Sequence, residues 1–329
     1  MRSKKRWLLA IPLLLAIFYL MGPRPAVPHY SQVMPVVPTS PDLLEQYIRE
    51  KESRHHIKPD NEARIIWYND SMRQKTKYAI VYLHGFSASQ REGGPVHTDI
   101  ARRFGCNLFL TRLSQHGLDT SEALKGLTVD GYWESAKEAL AIGKQLGEKV
   151  ILMGTSTGGS QALQLAAIYP KDVYALVLMS PNIAINDPNA WLLNNPWGLQ
   201  IARLVIGGDY IDSKDTRPIY RQYWYGHYRL EGAVALQEML ETSMTAATFK
   251  KVKQPLLLLY YYKDKVHQDS VVKVSAMLDM FKELGTPANE KFSQAMPKAG
   301  NHVLGSDIKS TDIPGVEDAI EQFMERVIK

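Results

Sequence analysis

The 329-residue sequence lacks the patterns of a metal site, a disulfide framework and an internal repeat. It contains one cysteine, Cys106, so no disulfide can form within the chain, and the apolar setting FGCNLFL predicts a small buried side chain. No Cys/His spacing resembles a zinc site, and no H-E-x-x-H motif occurs. No internal repeat or long low-complexity tract is found, which fits one large domain, with or without an insertion.

The chain also lacks a charge excess outside its N-terminus. The net charge is +5, but Arg2, Lys4, Lys5 and Arg6 supply four of these charges, which leaves +1 for the rest. A balance so close to zero argues against a nucleic-acid partner.

Residues 1–22 combine this basic cluster with an uncharged, mostly apolar run, Trp7–Met21. The run is shorter than the roughly 20 residues of a spanning helix, yet it suits the core of a signal peptide. The cleavage signal is poor, because a cut after Ala26 would put Arg24 where a small residue is required. We therefore expect an uncleaved signal anchor, with a cleaved signal peptide and a buried core helix as the alternatives.

The charge distribution also predicts a location. The positive-inside tendency leaves RSKKR in the cytoplasm and places the rest on the periplasmic or extracytoplasmic side of the membrane, or secretes it if the signal is cleaved. Residues 23–41 carry six prolines, which favour an extended polyproline conformation. This stretch predicts a semi-rigid spacer between the membrane and the domain at 42–329.

Apolar strands alternate with amphipathic helices from about residue 62. The predicted strands lie near 62–70, 78–85, 107–113, 149–154, 174–181, 255–264 and 290–296. The predicted helices lie near 92–104, 129–147 (with Asp130 as its N-cap), 156–169, 270–284 and 315–328. Continuous apolar strands between such helices indicate an α/β fold with a mostly parallel sheet covered on both faces.

Residues 182–250 interrupt this alternation. The segment is too long for one crossover and holds Trp191, Trp197 and Trp224, half of the six tryptophans, together with several tyrosines. It predicts a mostly helical cap above the C-terminal edge of the sheet, where ligands of open α/β sheets bind. The aromatic residues predict either an apolar pocket or simply the core of the cap itself.

The stretch GTSTGGS places Ser156 between Gly154 and Gly158, with a predicted strand before it and a helix after it. This is the setting of a nucleophile elbow, in which the turn is so sharp that glycines must flank the serine. The alternative is an ordinary Gly-rich turn between strand and helix.

A serine nucleophile needs a base, and the base needs an acid. His302, in the loop AGNHVLG after the last predicted strand, is the predicted base, with His267 as its competitor. Asp264, at the end of PLLLLYYYKD, is the predicted acid. Asp269, five residues later, is the alternative acid or a cap of the next helix. The order Ser, Asp, His along the chain matches the order expected for this fold.

Two backbone N–H groups should form the oxyanion hole. One is predicted at Thr157, the residue after the nucleophile. The other is predicted at Phe86, in the loop after the strand that ends at His84-Gly85. His84 is then expected to shape this loop rather than to act as a second base.

Taken together, HGFSAS (84–89), TRLSQHG (111–117), GTSTGG (154–159), KDKV (263–266) and GNHV (300–303) resemble the α/β-hydrolase fold. More narrowly, they are similar to the monoacylglycerol lipase, lysophospholipase and carboxylesterase group often called serine aminopeptidase-like hydrolases. The resemblance covers roughly residues 62–329. It implies the same nucleophile, acid, base and oxyanion donors, without a metal or organic cofactor.

The resemblance implies hydrolysis of a carboxylic ester through an acyl-enzyme, and the aromatic cap favours an apolar acyl group. A membrane anchor would favour a lipid-derived ester as substrate. Two alternatives stay open. An amidase or peptidase would need an acidic cluster near the cap, where only scattered acids such as Glu231, Glu238 and Glu241 occur. A non-catalytic, membrane-tethered binding protein would be expected to have lost a member of the Ser, Asp, His set.

Overall fold

The computed structural model describes residues 2–328, with the backbone alone for residues 2–10. The strands are β1 (Arg64–Ile66), β2 (Thr76–Leu83), β3 (Asn107–Leu110), β4 (Gly147–Thr155), β5 (Ala175–Met179), β6 (Tyr210–Asp212), β7 (His227–Arg229), β8 (Leu256–Tyr260) and β9 (Lys291–Ala295). The helices are α1 (Arg2–Leu20), α2 (Pro41–Glu52), α3 (Val96–Arg103), α4 (Val129–Leu146), α5 (Thr157–Ile168), α6 (Gly198–Ile206), α7 (Pro218–Tyr223), α8 (Leu230–Ser243), α9 (Ala246–Lys251), α10 (Val274–Glu283) and α11 (Ile313–Val327).

Seven strands form the central sheet in the order β1-β3-β2-β4-β5-β8-β9. Only β1, at the edge, runs antiparallel to its neighbour, and the other pairs are parallel. The central strands are apolar on both sides because helices cover both faces of the sheet. The core on one face includes residues of α4, α5 and α10, and the core on the other includes residues of α3 and α11. The predicted mostly parallel α/β sheet is confirmed.

The cap inserted between β5 and β8 holds the helices α6, α7, α8 and α9 and also a small antiparallel pair, β6 with β7. The prediction of a mostly helical insertion thus agrees with the described elements, with this pair of strands as an addition. Tyr210 pairs with Arg229 and Asp212 with His227. Three residues a strand are too few for periodicity to reveal, which is why the pattern missed them.

Part of the proline-rich segment, for which the sequence predicted a semi-rigid spacer, packs against the domain. Residues 22–37, here called the N-terminal arm, lie against the domain, and Val37 belongs to its core. The main-chain oxygens of Ser31 and Val33 accept hydrogen bonds from Trp133 Nε1 and from Nζ of the fully buried Lys137, each at 2.8 Å. These bonds favour the docked arm, because without it Trp133 Nε1 would lose the Ser31 acceptor and buried Lys137 would keep only its ion pair with Glu134.

The N-terminal arm also contacts the first turn of α4. Asp130 is not the N-cap, as the sequence suggested, because Thr128 holds that position and accepts a hydrogen bond from the Gly131 N–H. Asp130 Oδ1 instead accepts a hydrogen bond from the His29 N–H of the arm, at 2.7 Å. Asp130, Trp133 and Lys137 are spaced by three and four residues, so one face of α4 carries all three contacts with the arm.

At its beginning the arm meets the cap. The Trp197 N–H donates to the main-chain oxygen of Pro23 at 2.9 Å, and the Trp197 ring stacks on Phe18 of α1 with 4.9 Å between ring centres. Among the described residues, no helix combines the length and the hydropathy of a membrane-spanning segment.

Candidate active site

Ser156 lies in a sharp turn between β4 and α5. Its backbone adopts φ 53° and ψ −122°, a conformation that is rare for any residue other than glycine. A Cβ atom at Gly158 would lie 2.0 Å from the main-chain oxygen of Leu83, so only glycine allows the turn to pack this close to β2. The Ser156 N–H donates to the main-chain oxygen of Met179 at 3.0 Å, which ties the turn to β5. The predicted elbow geometry is therefore present.

His302 and Asp269 form a buried pair beside this turn. His302 Nδ1 lies 2.6 Å from Asp269 Oδ2, and the two residues are 9% and 1% exposed. The other carboxylate oxygen of Asp269 accepts hydrogen bonds from the N–H groups of Val271, at 2.8 Å, and Val272, at 3.0 Å. These two bonds orient the carboxylate, so Nδ1 of His302 faces a fixed acceptor and Nε2 remains for other contacts.

Each member of the pair changes the other's proton affinity. Burial by itself would raise the pKa of Asp269, but His302 and the two N–H groups outweigh it and lower the pKa. Burial by itself would lower the pKa of His302, but Asp269 outweighs it, with a further contribution from Glu92, and raises the pKa above its usual value. The pair thus favours the charged forms of both residues. An ionised Asp269 would stabilise His302 after that imidazole had accepted a proton.

The structure does not bring Asp264 to His302, and the prediction of that contact is wrong. Asp264 is exposed and pairs with His267, at 2.9 Å between Oδ2 and Nδ1. The N–H and ring of His267, together with the Val266 N–H, lower the pKa of Asp264 to about 2. His267, the competing base, therefore lies with Asp264 in this exposed turn.

The reason is that β8 ends at Tyr260, earlier than predicted. The chain then forms a tight loop closed by an antiparallel bridge between Tyr262 and Gln268. The Asp269 N–H donates a hydrogen bond to the main-chain oxygen of Tyr261 at 3.1 Å. This hydrogen bond brings Asp269 next to the end of β8, although it lies nine residues after Tyr260 in the chain. It is not a cap of the next helix either, because α10 begins at Val274 with Lys273 as its N-cap.

The loop after β2 is held by buried neutral histidines. Burial lowers the pKa of His84 to about 4 and holds that of His116 well below its usual range. Their Nε2 atoms accept hydrogen bonds from the N–H groups of Leu113 and Ser87, each at 3.0 Å. His84 thus shapes the loop, as expected. His116, which lies in the quoted motif TRLSQHG but was given no role there, also holds the loop through Ser87.

The predicted oxyanion donors belong to the helix after the elbow and to the loop after β2. Thr157 is the first residue of α5, and its N–H has no intrahelical acceptor because the first amide groups of a helix precede any carbonyl partner. Phe86 follows Gly85 in the loop after β2, and both Phe86 and Ser156 line the same cavity. Within the described residues, no group of three or more His, Cys, Asp or Glu side chains is arranged to hold a metal ion.

A cavity of about 560 Å³ lies between the sheet and the cap. Ser156 and His302 lie on its floor, and its walls are mainly apolar side chains from the cap. Those walls include Leu192, Leu193, Ile201, Val205, Ile206, Tyr220, Trp224, Tyr228, Leu230, Ala233 and Leu236. Of the three cap tryptophans, Trp224 lines the cavity, Trp197 contacts α1 and Trp191 is 53% exposed. Of the two predicted uses of the cap tryptophans, lining of an apolar pocket therefore applies to Trp224.

The three acids of the cap do not form a cluster in this cavity. Glu231 pairs with Arg203 and Arg229, Glu238 accepts a hydrogen bond from Asn194, and Glu241 accepts one from Gln237. Each therefore has a partner within the cap.

Solved structures of lipolytic enzymes share this fold. A structure reported for LipS and LipT, two metagenome-derived lipolytic enzymes, has a TM-score of 0.65 at 15% identity and covers 82% of this chain and 100% of its own. Est1E from Butyrivibrio proteoclasticus with ferulic acid bound has a TM-score of 0.54 at 18% identity, with 81% and 95% covered. A monoacylglycerol lipase of Paleococcus ferrophilus has a TM-score of 0.53 at 14% identity, with 78% and 98% covered.

At such identities these likenesses show the fold alone. No curated protein sequence matches the chain. The family model described as serine aminopeptidase, S33 matches residues 74–291, which is more than half of the chain and contains the elbow and Asp269. The chain therefore belongs to the serine aminopeptidase S33 family of α/β-hydrolases.

Proposed function

We propose that the protein is a serine hydrolase that cleaves carboxylic esters with an apolar acyl group. The observation that carries this proposal is the buried His302–Asp269 pair, whose His302 lines one largely apolar cavity together with the elbow residue Ser156. Ser156 is the nucleophile, His302 the base and Asp269 the acid. The N–H groups of Phe86 and Thr157 are the oxyanion donors.

The reaction uses groups of this chain and water. His302 Nε2 takes the hydroxyl proton of Ser156 while the oxygen attacks the ester carbonyl, and the two N–H groups stabilise the oxyanion. The tetrahedral intermediate collapses, the ester C–O bond breaks, and His302 returns the proton to the leaving alcohol. Water, activated by the same histidine, then attacks the acyl-enzyme and releases the carboxylic acid and free Ser156. Asp269 holds the imidazole tautomer throughout.

The walls of the cavity indicate the acyl group. Apolar side chains contributed by α6 and α8, such as Ile201, Val205 and Ala233, surround the space above the nucleophile. A hydrocarbon chain gains free energy from leaving water for such a lining, at about 0.8 kcal/mol for each buried CH2 group. A lipase, lysophospholipase or carboxylesterase specificity fits this lining. A peptide substrate fits it less well, because the cap acids Glu231, Glu238 and Glu241 have partners elsewhere.

The first experiment follows hydrolysis of p-nitrophenyl esters of increasing acyl length by the full-length protein in detergent. Ser156→Ala is compared with Ser121→Ala, which removes an exposed hydroxyl outside the cavity. We expect Ser156→Ala to lose hydrolysis by a factor of at least about 10³. Ser121→Ala should retain the wild-type rate.

A fluorophosphonate label and aminoacyl p-nitroanilides separate the alternatives. Labelling of the wild type at Ser156 without ester hydrolysis, but with cleavage of the anilides, would favour an amidase or peptidase. Failure of the wild type both to label and to hydrolyse any of these substrates would favour a non-catalytic binding protein.

We also propose that residues 1–22 are an uncleaved signal anchor that places the domain on the periplasmic or extracytoplasmic side of a membrane. The basic cluster before the apolar run supports this, as do the exposed side chains of Leu13, Leu14 and Leu15 in α1. A lipid-derived ester would then be close to the cavity. Fractionation of cells, protease treatment from the outer side and the intact mass of the protein test this. A soluble protein without its first residues would indicate a cleaved signal peptide instead.

A further inference from the structure

Glu92 is a buried carboxyl group in the active-site cavity that the proposed reaction does not use. It lies in the short 3-10 turn Gln90–Gly93, after the loop that carries Phe86, and is 3% exposed. Its side chain lines the same cavity as Ser156 and His302. Removing a carboxyl group from water costs free energy unless the group is hydrogen-bonded, so the groups that bind the Glu92 carboxyl decide what its burial costs.

The contacts of Glu92 lie between the loop after β2 and Ser156. Oε2 accepts a hydrogen bond from the Gly85 N–H at 2.5 Å. A Cβ atom built at Gly85 would lie 2.9 Å from each carboxylate oxygen and 2.9 Å from Ser156 Cβ, so the carboxyl group lies against Gly85 next to the nucleophile. The side chain of Trp224, from the cap, lines the same cavity as Glu92.

The charge of Glu92 acts on His302. Burial raises the pKa of Glu92 to about 7, while the Gly85 N–H, His302 and Trp224 oppose this rise. Glu92 in turn contributes to the raised pKa of His302. Glu92 and His302 therefore interact within one cavity, and each favours the charged form of the other.

The other titratable groups around Glu92 do not compete for this role. Tyr82 on β2, Tyr132 on α4 and Tyr220 on α7 feel its charge, but burial raises the pKa of each above the usual value, so they stay neutral. Lys309 also lines the cavity, and its Nζ is paired with Asp215 at 2.6 Å.

We propose that Glu92 is a positioning residue of this site, which holds the oxyanion loop through the Gly85 N–H and, when ionised, stabilises the protonated form of His302. The part that concerns the loop rests on the proposed hydrolase function. The part that concerns His302 does not, because it is a property of the pair whatever substrate binds.

The first test is an NMR pH titration of the His302 imidazole in the full-length protein, with the resonance assigned by His302→Gln. Glu92→Gln removes the charge but keeps a carbonyl oxygen as acceptor. We expect the pKa of His302 to fall by about half a pH unit or more in this variant, because a nearby negative charge is lost. Asp307→Asn, which removes an exposed charge paired with Arg91, is the control and should not move it. An unchanged pKa in Glu92→Gln would overturn the electrostatic role.

The second test compares the rates at which Glu92→Gln and Glu92→Ala react with the fluorophosphonate, after thermal melting has shown that both fold. We expect Glu92→Ala to lose at least about tenfold, because the Gly85 N–H is left without its acceptor, and Glu92→Gln to lose clearly less. Equal losses in the two variants, or none in Glu92→Ala, would overturn the positioning role. If the wild type is not labelled, the proposed hydrolase function fails, while the titration of His302 still decides whether Glu92 acts on it.

Discussion

His302 Nδ1 lies 2.6 Å from Asp269 Oδ2, in a pair from which water is almost excluded. Asp264, five residues earlier and also after β8, lies in an exposed turn with His267. Two carboxylates so close in sequence therefore have different environments. Because Asp269 is buried against His302 and Asp264 is exposed, we expect their substitution to change the rate of hydrolysis by very different factors.

The first prediction compares these two carboxylates. Asp269→Asn should lower kcat for ester hydrolysis by about 10³ to 10⁴, because an amide at this position favours the wrong imidazole tautomer and does not stabilise the imidazolium. Asp264→Asn should keep kcat within about twofold, since an exposed ion pair contributes little. Steady-state kinetics on the preferred p-nitrophenyl ester measure both. A larger loss in Asp264→Asn than in Asp269→Asn would contradict the assignment.

The second prediction concerns pH. Hydrolysis requires neutral His302, and its pKa is raised above the usual value of 6.5. The rate should therefore be lost as the pH falls through this raised pKa, so the midpoint of the acid limb of kcat/KM should lie above 6.5. A profile from pH 5 to 9 measures it. A midpoint below 6.5 would show that Asp269 and Glu92 do not outweigh burial.

The third prediction concerns the N-terminal arm. A protein that begins at residue 41 lacks the arm and should unfold at a lower temperature than one that begins at residue 22. Without the arm, Trp133 Nε1 loses its acceptor on Ser31, and Lys137 loses the Val33 oxygen and keeps Glu134. A buried donor left without an acceptor costs about 1–3 kcal/mol of stability. Thermal melting followed by circular dichroism compares the two proteins.

A compensating variant is the control for this effect. Lys137→Met needs no acceptor, so it should stabilise the protein that begins at residue 41 relative to the same protein with Lys137. In the protein that begins at residue 22, the substitution should not stabilise. Equal melting temperatures for the two lengths would mean that the arm is the spacer that its prolines suggested.

The fourth prediction concerns acyl length. Ala233, on α8, lines the cavity, and Ala233→Phe should fill part of it and shift the preferred ester towards shorter acyl chains. Leu236→Ala should enlarge the cavity and shift the preference towards longer chains, at some cost in stability. The measurement is kcat/KM across the p-nitrophenyl ester series. Ala288→Phe, in an exposed loop, should leave the preference unchanged.

Much of the fold follows from local pattern. The continuous apolar runs of β2, β4, β5 and β8 predict buried parallel strands, because only strands covered on both faces lack a polar side. The spacing of Gly154, Ser156 and Gly158 predicts the elbow because the turn excludes any Cβ atom at the glycines. These features depend on residues adjacent in the chain, and so they could be predicted from it.

Two residues that contact the loop after β2 could not be identified from local pattern. His116 and Glu92 act through contacts with the loop after β2 that join residues 7 to 29 positions apart. For Asp264 one signal was available, since its neighbours Lys263 and Lys265 indicate a solvated turn, whereas Asp269 precedes the apolar pair Val271 and Val272. The end of β8 was placed four residues too late, and this error alone selected the wrong carboxylate.

The sequence by itself determined the parallel sheet, the position of the cap and the sharp turn at Ser156, because each depends on periodicity, turn chemistry or order along the chain. Only the tertiary structure decided that Asp269 meets His302 and that the N-terminal arm lies on α4. Both depend on which buried donors and acceptors find each other across the fold. A hydrogen bond between His302 and a residue 33 positions away leaves no periodic trace in either segment.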